Sequence, residues 1–384
     1  MDYELNDAEK KLQQDASAFC MKEIAPSAQV LDEASKSEVF GTIKENLKKL
    51  AGAGLLGTGI EGGSIDLVKY YVAGEEIAKA CPATFLSSRA SSFMCGGLLN
   101  LFGTPEQKER YLTALRNADK VGAVAYTEAD AGSDIAGINT LARKEGEVWL
   151  LNGVKDIVAN APIADVILVL AYTDKEAGTE KGLSFFVVEK DAAGLSVGEP
   201  LETMGLRGLP LAAVTFENCE AKEILGGTPG NAFGQISQIL SMGTVGIAAL
   251  SVGISSACME KATQKAKNRK AFGRKIGSFQ EVGFKLADMF TLNDLSKMLA
   301  LRAAWGMNMG ENEADILGAC AKLFASESAT KIANWAMQIY AGHGYIKGSD
   351  IEKLYRDAKF GEICEVPSEI QRTIIAKNDL DKFA

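Results

Sequence analysis

The feature that most constrains the fold is a change of periodicity along the chain, from helical to strand-like and back to helical. Residues 1 to about 120 carry apolar residues at helical spacing, as at Val39, Ile43, Leu47 and Leu50. From about residue 121 to 217, short β-rich runs alternate with turn clusters, without the helical stretches that separate parallel strands. The runs are Val121–Tyr126, Val148–Leu151, Val166–Ala171, Leu183–Val188 and Ala213–Phe216. After Gly234, apolar residues return at intervals of three and four, the period of a bundle helix, at Ile236, Leu240, Gly243, Ile247, Leu250 and Ile254.

This order predicts an α+β protein in three parts. We expect an N-terminal helical domain at 1–120, a central small β-barrel or sheet domain at 121–225 and a C-terminal helical bundle at 226–384. Thr104 and Pro105 predict a helix start, and Ser368 with Gln371 fits a capping box that begins the last helix.

Composition excludes several classes of protein. The chain has 41 Lys and Arg against 50 Asp and Glu, a formal net charge of −9, which disfavours non-specific nucleic-acid binding. Its seven cysteines are odd in number and scattered, and His343 is the sole histidine, so we expect no metal site. No run approaches the ~18–20 apolar residues of a membrane span, and the polar, acidic N-terminus does not resemble a signal peptide. Together these features predict a cytoplasmic protein with reduced thiols and no membrane span.

The segment AYTEADAGSD, residues 125–134, follows a predicted strand. Its small residues and hydroxyl groups leave backbone N–H groups open to a flat or anionic ligand. A long β-turn explains the same pattern without a ligand, and the residues alone do not decide between the two.

A second segment, KAKNRKAFGRK at 265–275, places six basic residues among eleven near a helix end. Such a run is typical of a solvated helix C-terminus, whose dipole favours cations. The functional alternative is a pyrophosphate clamp in which Arg269 is a bidentate donor.

Two candidate bases lie near the C-terminus. His343, in AGHGY at 341–345, lies between glycines without a carboxylate nearby in sequence, so a ligand-contacting loop fits it better than catalysis. Glu365, in CEVPSEIQR at 364–372, immediately precedes a predicted helix start. It is either an ordinary loop carboxylate or a general base aimed at a ligand.

In this order, the four motifs resemble those of the acyl-CoA dehydrogenase flavoprotein family, over essentially the whole chain. AYTEADAGSD resembles the family's flavin loop YxxTEPxAGSD, and RKAFGRKIGSFQ is similar to RxxFGxxIxxxQ. MQIYAGHGY resembles QxxGGxGY, and IEKLYRDAKFGEICEVPSEIQR resembles the C-terminal xxKLxRDAKxxxIYEGTSxIQR. The resemblance implies an N-terminal helical domain, a central β-domain and a C-terminal four-helix bundle, assembled as a homotetramer.

The resemblance also implies a site, residue by residue. Glu365 falls at the family's catalytic glutamate, and Gly243 stands where some relatives carry the base on the long helix. The residues implied to bind FAD are Tyr126, Thr127, Gly132, Ser133, Ile157, Ala159, Arg269, Phe272, Gln280, Gln338, Ala341, Gly342 and Pro367. Six of these residues would bind the adenosine half of the FAD of a neighbouring subunit: Arg269, Phe272, Gln280, Gln338, Ala341 and Gly342. The residues implied to bind substrate are Ser133, Arg89, Thr244 and Val366.

The implied reaction is α,β-dehydrogenation of an acyl-CoA thioester. Glu365 would take the α-proton while the β-hydride moves to flavin N5, and an electron-transfer flavoprotein would accept the electrons. The Glu365 backbone N–H and a ribityl hydroxyl would hold the thioester oxygen as it gains charge. Two alternatives remain open: an enoyl-CoA reductase working in the opposite direction, and a homologue without catalysis that serves as a scaffold. A DNA-binding relative also exists, but the net charge of −9 disfavours that role.

Four departures from the family pattern cluster around the implied site. Ile157-Val158-Ala159 replaces the Trp-Ile-Thr that covers the flavin, and Thr244 replaces an arginine on the long helix. Leu209-Pro210-Leu211 replaces small polar residues, and CEVP replaces YEGT, so that Val366 and Pro367 stiffen the loop beside Glu365.

Arg89 lies among four serines, in FLSSRASSFMCGGLLN, where the acyl pocket of the family is mostly apolar. A buried guanidinium needs an anion, so an Arg89 that lines the pocket predicts a substrate with a distal carboxylate. The alternative is that Arg89 faces solvent or pairs with an acidic neighbour. Together with the changes at Ile157 and Ala159, this favours a dicarboxylic, branched or cyclic acyl group.

Overall fold

The computed structural model describes residues 4–382, so residues 1–3 and 383–384 of the predicted terminal domains lie outside the described residues. The N-terminal part is helical with a short hairpin: α1 (Asp7–Glu23), α2 (Ser27–Glu33), α3 (Lys36–Gly52), β1 (Ile60–Glu61), β2 (Ser64–Ile65), α4 (Leu67–Ala80), α5 (Pro82–Ser88), α6 (Gly96–Phe102) and α7 (Pro105–Arg116). Capping boxes begin α1, α3 and α7, because Asn6, Ser35 and Thr104 accept hydrogen bonds from the first turn of each helix. The four apolar residues predicted on one face of α3 are buried, and the helix start predicted at Thr104 is confirmed.

The central part is an eight-stranded sheet. Its strands are β3 (Gly122–Ala125), β4 (Leu141–Glu145), β5 (Val148–Ala159), β6 (Val166–Tyr172), β7 (Leu183–Glu189), β8 (Leu195–Pro200), β9 (Leu211–Ala221) and β10 (Glu223–Ile224), with a short helix α8 (Gly178–Gly182) before β7. The strand order is β10-β7-β6-β4-β5-β9-β8, and β3 pairs in parallel with β6. The predicted β-domain is confirmed. The strands β4 and β8 were not predicted, because both are largely exposed and carry little apolar alternation.

The C-terminal part is a helical bundle. It contains α9 (Ala232–Asn268), the hairpin strands β11 (Lys270–Ala271) and β12 (Arg274–Lys275), α10 (Gln280–Asn308), α11 (Ala314–Tyr340), α12 (Asp350–Ala358), α13 (Phe360–Ile363) and α14 (Ser368–Lys382). The six apolar or small residues predicted at helical spacing on α9 are buried against α4, α10 and α11. The short helices α12 and α13 were not predicted, since each is too short to show a periodic pattern.

Helix α9 is long and apolar enough to cross a membrane by length and composition, contrary to the expectation that no segment comes near that limit. However, 83% of its most apolar window is buried inside the protein. A helix that is apolar all round is buried either in a core or in a membrane, and here the surrounding helices cover it. We therefore describe α9 as the central helix of the bundle.

A π-helix, Arg89–Cys95, joins α5 to α6. Such widened turns occur frequently at functional sites. Strand β3 packs so closely on this turn that a Cβ on Gly122 would lie 2.7 Å from the Cβ of Cys95. Arg89, the first residue of this π-helix, lies in the interior of the protein and is 4% exposed.

Helix α12 of the bundle contacts both the N-terminal helices and the sheet domain. Arg356 donates to both carboxylate oxygens of Asp32 in α2, at 3.1 and 2.6 Å. The neighbouring Asp357 accepts the backbone N–H of Leu206 at 2.6 Å, in the loop between β8 and β9. One turn of α12 thus fixes both α2 and this loop against the bundle.

Candidate active site

Glu365 lies in the short loop between α13 and α14, with its backbone in the left-handed region at φ 58°. Non-glycine residues in that region are strained and cluster at functional sites. The Glu365 side chain is 12% exposed and faces a cavity of about 340 Å³. The cavity is lined by Tyr126, Gly132, Ser133, Ile135, Ser237, Leu240, Ser241, Thr244, Asp315, Ala319, Glu365, Val366, Ile370, Gln371 and Ile374. The structure therefore brings Glu365 together with five other predicted site residues: Tyr126, Gly132, Ser133, Thr244 and Val366.

Arg89 is the ion-pair partner of Glu365 and is only 4% exposed. One terminal nitrogen of its guanidinium contacts Oε1 of Glu365, and the other donates to Oε2 at 2.8 Å and to the carbonyl oxygen of Gly243 at 3.3 Å. The guanidinium lies 5.1 Å from the centroid of the Phe93 ring, which stacks on Tyr70. Arg89 thus pairs with an acidic neighbour, as one alternative held, but that neighbour is the predicted base.

Burial raises the pKa of the Glu365 carboxyl above its ordinary value, while Arg89 and Lys322 oppose the shift. Lys322, on α11, is 1% exposed and donates to the carbonyl oxygen of Glu362 at 3.1 Å. Burial lowers the pKa of Lys322. A carboxylate with a raised pKa is a stronger proton acceptor, which suits Glu365 to general base chemistry.

Gly243, where some relatives carry the base, lies directly beside Glu365. A Cβ on Gly243 would lie 2.9 Å from Oε2 of Glu365 and 2.6 Å from a terminal nitrogen of Arg89. A side chain at this position would therefore displace the Glu365 carboxylate and the Arg89 guanidinium from their present positions. Asp315, the other carboxylate that lines the cavity, is held by the Ser241 hydroxyl at 2.5 Å. Glu365 is therefore the candidate base of this cavity.

The segment 125–134 is held in place by an ion pair that the sequence analysis missed. Lys155, a fully buried residue of β5, donates to Oε1 of Glu128 at 2.8 Å. Glu128 also accepts the backbone N–H groups of Asn139 at 2.7 Å and Thr140 at 3.0 Å. Burial lowers the pKa of Lys155 to about 8, and its hydrogen bond to Glu128 opposes that shift. The local sequence gave no signal for this burial, because Lys155 stands between Val154 and Asp156 in a strand of mixed polarity.

Known proteins resemble this chain over its whole length. Sequence models of the acyl-CoA dehydrogenase N-terminal, middle and C-terminal domains match residues 6–119, 123–219 and 231–380. The chain belongs to the acyl-CoA dehydrogenase family. It is thus an oxidoreductase of the acyl-CoA dehydrogenase type, from a family of flavoproteins.

Two relatives and one solved structure illustrate the range of this family. The chain is similar to the 3-(aryl)acrylate reductase of Clostridium sporogenes, with 39% identity over 94% of this chain and 96% of that protein. It is also similar to the mitochondrial short-chain specific acyl-CoA dehydrogenase of Mus musculus, with 37% identity over 99% of this chain and 92% of that protein. A glutaryl-coenzyme A dehydrogenase in complex with glutaryl-CoA has a TM-score of 0.92 at 31% identity, covering 99% of this chain and 97% of that chain.

In this acyl-CoA dehydrogenase, the surface beside the segment 125–134 fits a flat aromatic ring. An irregularity of pairing between Lys155 and Val158 interrupts β5, and Ile157 is 57% exposed there. The backbone N–H of Asp156, next to Ile157 in β5, donates to the carbonyl oxygen of Thr127 at 3.0 Å. A Cβ on Gly132 would meet nothing within 4 Å. A flat ring placed here would have an apolar contact on Ile157 and open backbone at Gly132.

A second group of predicted FAD residues lies on the surface at the adjacent ends of α9 and α11. All of its members are at least partly exposed: Arg269, Phe272, Gln280, Gln338, Ala341 and Gly342. Arg269 follows α9, whose rise of 1.5 Å per residue places it about 39 Å along the helix from Gly243, beside Glu365. This surface group is therefore not brought together with the Glu365 cavity of the same chain. His343 is likewise exposed, in a turn after α11, and does not line that cavity.

Of three further predicted residues, Thr244 lines the cavity, whereas Ala159 and Pro367 do not. Ala159 pairs with Leu211 at the end of β5 and is partly buried. Thr244 is 6% exposed, and its hydroxyl donates to the carbonyl oxygen of Ser241 at 2.6 Å. Pro367 is partly buried and directly precedes α14.

The capping box predicted for α14 is wrong. The Ser368 hydroxyl is buried without a hydrogen-bond partner. The backbone N–H of Gln371 donates instead to the carbonyl oxygen of Pro367 at 3.0 Å, and the Gln371 side chain donates to the carbonyl oxygen of Val366 at 3.4 Å. The reason is that Ser368 is already the first helical residue, so its side chain cannot take the N-cap position.

Proposed function

We propose that this enzyme binds FAD and removes the α-proton and the β-hydride of an acyl-CoA thioester, with Glu365 as the base. We further propose that the acyl group is dicarboxylic, branched or cyclic. The observation that supports the reaction best is the position of Glu365, a buried carboxyl with a raised pKa facing the cavity of about 340 Å³. When bound, FAD would supply the ring that accepts the hydride.

The residues of the chain would then have separate roles in proton transfer, flavin binding and substrate binding. Glu365 in its ionised form takes the α-proton, and its backbone N–H holds the thioester oxygen. Tyr126, Thr127 and Ser133 contact the flavin, Ile157 and Ala159 cover its ring, and Ser133, Thr244 and Val366 contact the substrate. Replacing an aromatic residue with Ile157 leaves more room on the covered face, which suits a branched or cyclic acyl group.

The surface group around Arg269 supports an assembly of several copies. About 39 Å of helix separates it from the Glu365 cavity, so it cannot serve the flavin of its own chain. We propose that Arg269, Phe272 and Gln280, with Gln338, Ala341 and Gly342, bind the adenosine half of the FAD of a neighbouring subunit in a homotetramer. We also propose domain boundaries near residues 120 and 225, an electron-transfer flavoprotein as acceptor, and a cytoplasmic location.

A second candidate function is the reverse reaction, reduction of an enoyl-CoA. The observation in its favour is the 39% identity to a protein named 3-(aryl)acrylate reductase. Both directions use the same groups, because Glu365 gives back in one direction the proton that it takes in the other. A scaffold without catalysis is less favoured, since it would not require a buried, strained Glu365.

Anaerobic titration of the purified FAD-loaded enzyme with a panel of acyl-CoA esters tests the proposed function. We expect bleaching of the flavin by one class of saturated ester. If only the reduced enzyme reacts, and with enoyl-CoA esters, the reductase direction is correct. If no ester of either kind changes the flavin spectrum, the proposed function is wrong.

A further inference from the structure

Three polar atoms beside the Glu365–Arg89 ion pair are buried without a hydrogen-bond partner. They are the Tyr70 hydroxyl, Nε of Arg89 and the Ser92 hydroxyl. Their side chains are at most 7% exposed, and all three residues line one cavity of about 20 Å³. That volume admits one oxygen-sized group. Because an unpaired buried polar atom destabilises a fold, three such atoms around one small cavity indicate a place for a hydrogen-bonding oxygen atom, from a water molecule or from a ligand.

The other serines of this segment have hydrogen-bond partners in the fold. The Ser87 hydroxyl donates to Oδ1 of Asn160 at 2.7 Å, and the Ser88 hydroxyl donates to the carbonyl oxygen of Phe85 at 2.7 Å. The Ser91 hydroxyl accepts the backbone N–H of Gly122 at 2.9 Å. The unpaired state is therefore particular to Ser92 among the four.

The reaction itself creates a need for a second anion. Glu365 is the carboxylate that pairs with Arg89, and it becomes neutral when it accepts the α-proton. A buried guanidinium left without a counter-ion is strongly unfavourable. Helix α9 offers no replacement at the positions that face the guanidinium, because Gly243 and Gly246 lie against it and carry no side chain.

We propose that Tyr70, Arg89 and Ser92 bind a carboxylate at the distal end of the acyl group, and that this carboxylate replaces Glu365 as the counter-ion of Arg89. One carboxylate oxygen would occupy the cavity and accept hydrogen bonds from the three unpaired donors, and the other would take over a terminal nitrogen of Arg89. This rests on the proposed function and selects the dicarboxylic class of substrate within it. A neutral acyl group leaves the ion pair intact, whereas a carboxylated acyl group releases Glu365 to act as the base.

The replacement of Glu365 is tested by binding. The probes are two CoA thioethers that cannot be dehydrogenated, one ending in a carboxylate and one ending in a methyl group, titrated into the FAD-loaded wild type and Glu365→Gln. Because the uncharged amide of the variant does not compete for Arg89, we expect the carboxylated probe to bind about tenfold tighter to the variant, and the methyl probe to show no such gain. If the carboxylated probe binds the variant no tighter than the wild type, Glu365 and the ligand do not share Arg89.

The subsite itself is tested by Tyr70→Phe and Ser92→Ala. The readout is the ratio of kcat/KM for the best of succinyl-, glutaryl- and adipyl-CoA to kcat/KM for butyryl-CoA. We expect the wild type to prefer the carboxylated ester and each variant to lower the ratio about tenfold or more, as for loss of a hydrogen bond to a charged group. Tyr71→Phe is the matched control, since the Tyr71 hydroxyl is equally buried and unpaired on the same helix but lies beside Glu75.

These outcomes separate the subsite from the reaction. A wild type that prefers butyryl-CoA, or variants that keep the wild-type ratio, would overturn the subsite while the proposed reaction stands. A flavin that no ester bleaches would overturn both.

Discussion

Glu365 is subject to two opposing effects on its proton affinity. Burial raises its pKa, and the cations Arg89 and Lys322 lower it. The groups that face it from the surrounding elements are Arg89, Lys322, Tyr70, Tyr126 and Cys364. Burial has the largest effect, and Arg89 opposes it more strongly than Lys322 does, so the pH at which the base is ionised depends on both burial and the ion pair.

The pH dependence of flavin reduction follows from this balance. Because Glu365 acts in its ionised form, the rate with butyryl-CoA is expected to fall as the pH drops through its raised pKa. Arg89→Met removes the main effect that lowers this pKa, so the acidic limb should move to higher pH. Rapid-mixing measurements from about pH 6 to 10 check the direction. An acidic limb that stays in place or moves to lower pH contradicts the assignment.

The Glu128–Lys155 pair predicts a large effect on stability. Lys155→Met leaves Glu128 buried without its partner, which is expected to cost about 3–5 kcal/mol. Urea unfolding monitored by circular dichroism measures this loss. The double variant Lys155→Met with Glu128→Gln is the control and should recover part of the stability, because no unpaired charge remains. Equal losses in the single and double variants would show that charge is not the cause.

At the scale of elements, prediction worked where the apolar pattern was long or continuous. Four such elements were predicted from the sequence: the helices α3 and α9 and the strands β6 and β7. Burial of apolar side chains is the main driving force for each of them. The exposed strands β4 and β8, the short helix α12 and the π-helix could not be predicted. Their conformation depends on partners distant in sequence, such as Asp32 for α12.

The loop between β8 and β9 provides a test of that dependence. A Cβ on Gly205 would lie 2.6 Å from the carbonyl carbon of Arg356, so the loop and α12 are in backbone contact. Gly205→Ala is expected to destabilise the protein by about 1–3 kcal/mol in thermal or urea unfolding. Gly198→Ala in β8, where the nearest atom lies at 3.5 Å, is the matched control and should have a much smaller effect. Similar losses in both variants would exclude the contact as the cause.

At the scale of the whole molecule, the candidate site combines residues from all three parts. Arg89 comes from the N-terminal helices, Tyr126 and Ser133 from the sheet domain, and Thr244 and Glu365 from the bundle. The family motifs led to Glu365 and to the segment 125–134, because both are contiguous in sequence. The contacts of Glu365 with Arg89 and of Lys155 with Glu128 join residues far apart in the chain, so no motif reports them.

The proposed assembly predicts that FAD retention depends on the surface group around Arg269. Arg269→Met should lower the FAD content per chain after gel filtration, because the pyrophosphate loses a bidentate donor. Lys267→Met removes an equally exposed positive charge from the same helix end and should keep the wild-type content. If both variants retain FAD equally well, the assignment of Arg269 is wrong.

The central claim is that Glu365 is the base that takes the α-proton. The most direct measurement is the anaerobic rate of flavin reduction in Glu365→Gln with the best ester of the panel, with Glu369→Gln, a nearby exposed glutamate, as control. We expect Glu365→Gln to fold and bind FAD with a stability lower by about 3–5 kcal/mol, because Arg89 loses its counter-ion. We expect its rate to fall by about 10²–10⁴ or more, because the basic group is removed. A Glu365→Gln enzyme that reduces its flavin at nearly the wild-type rate would contradict the claim.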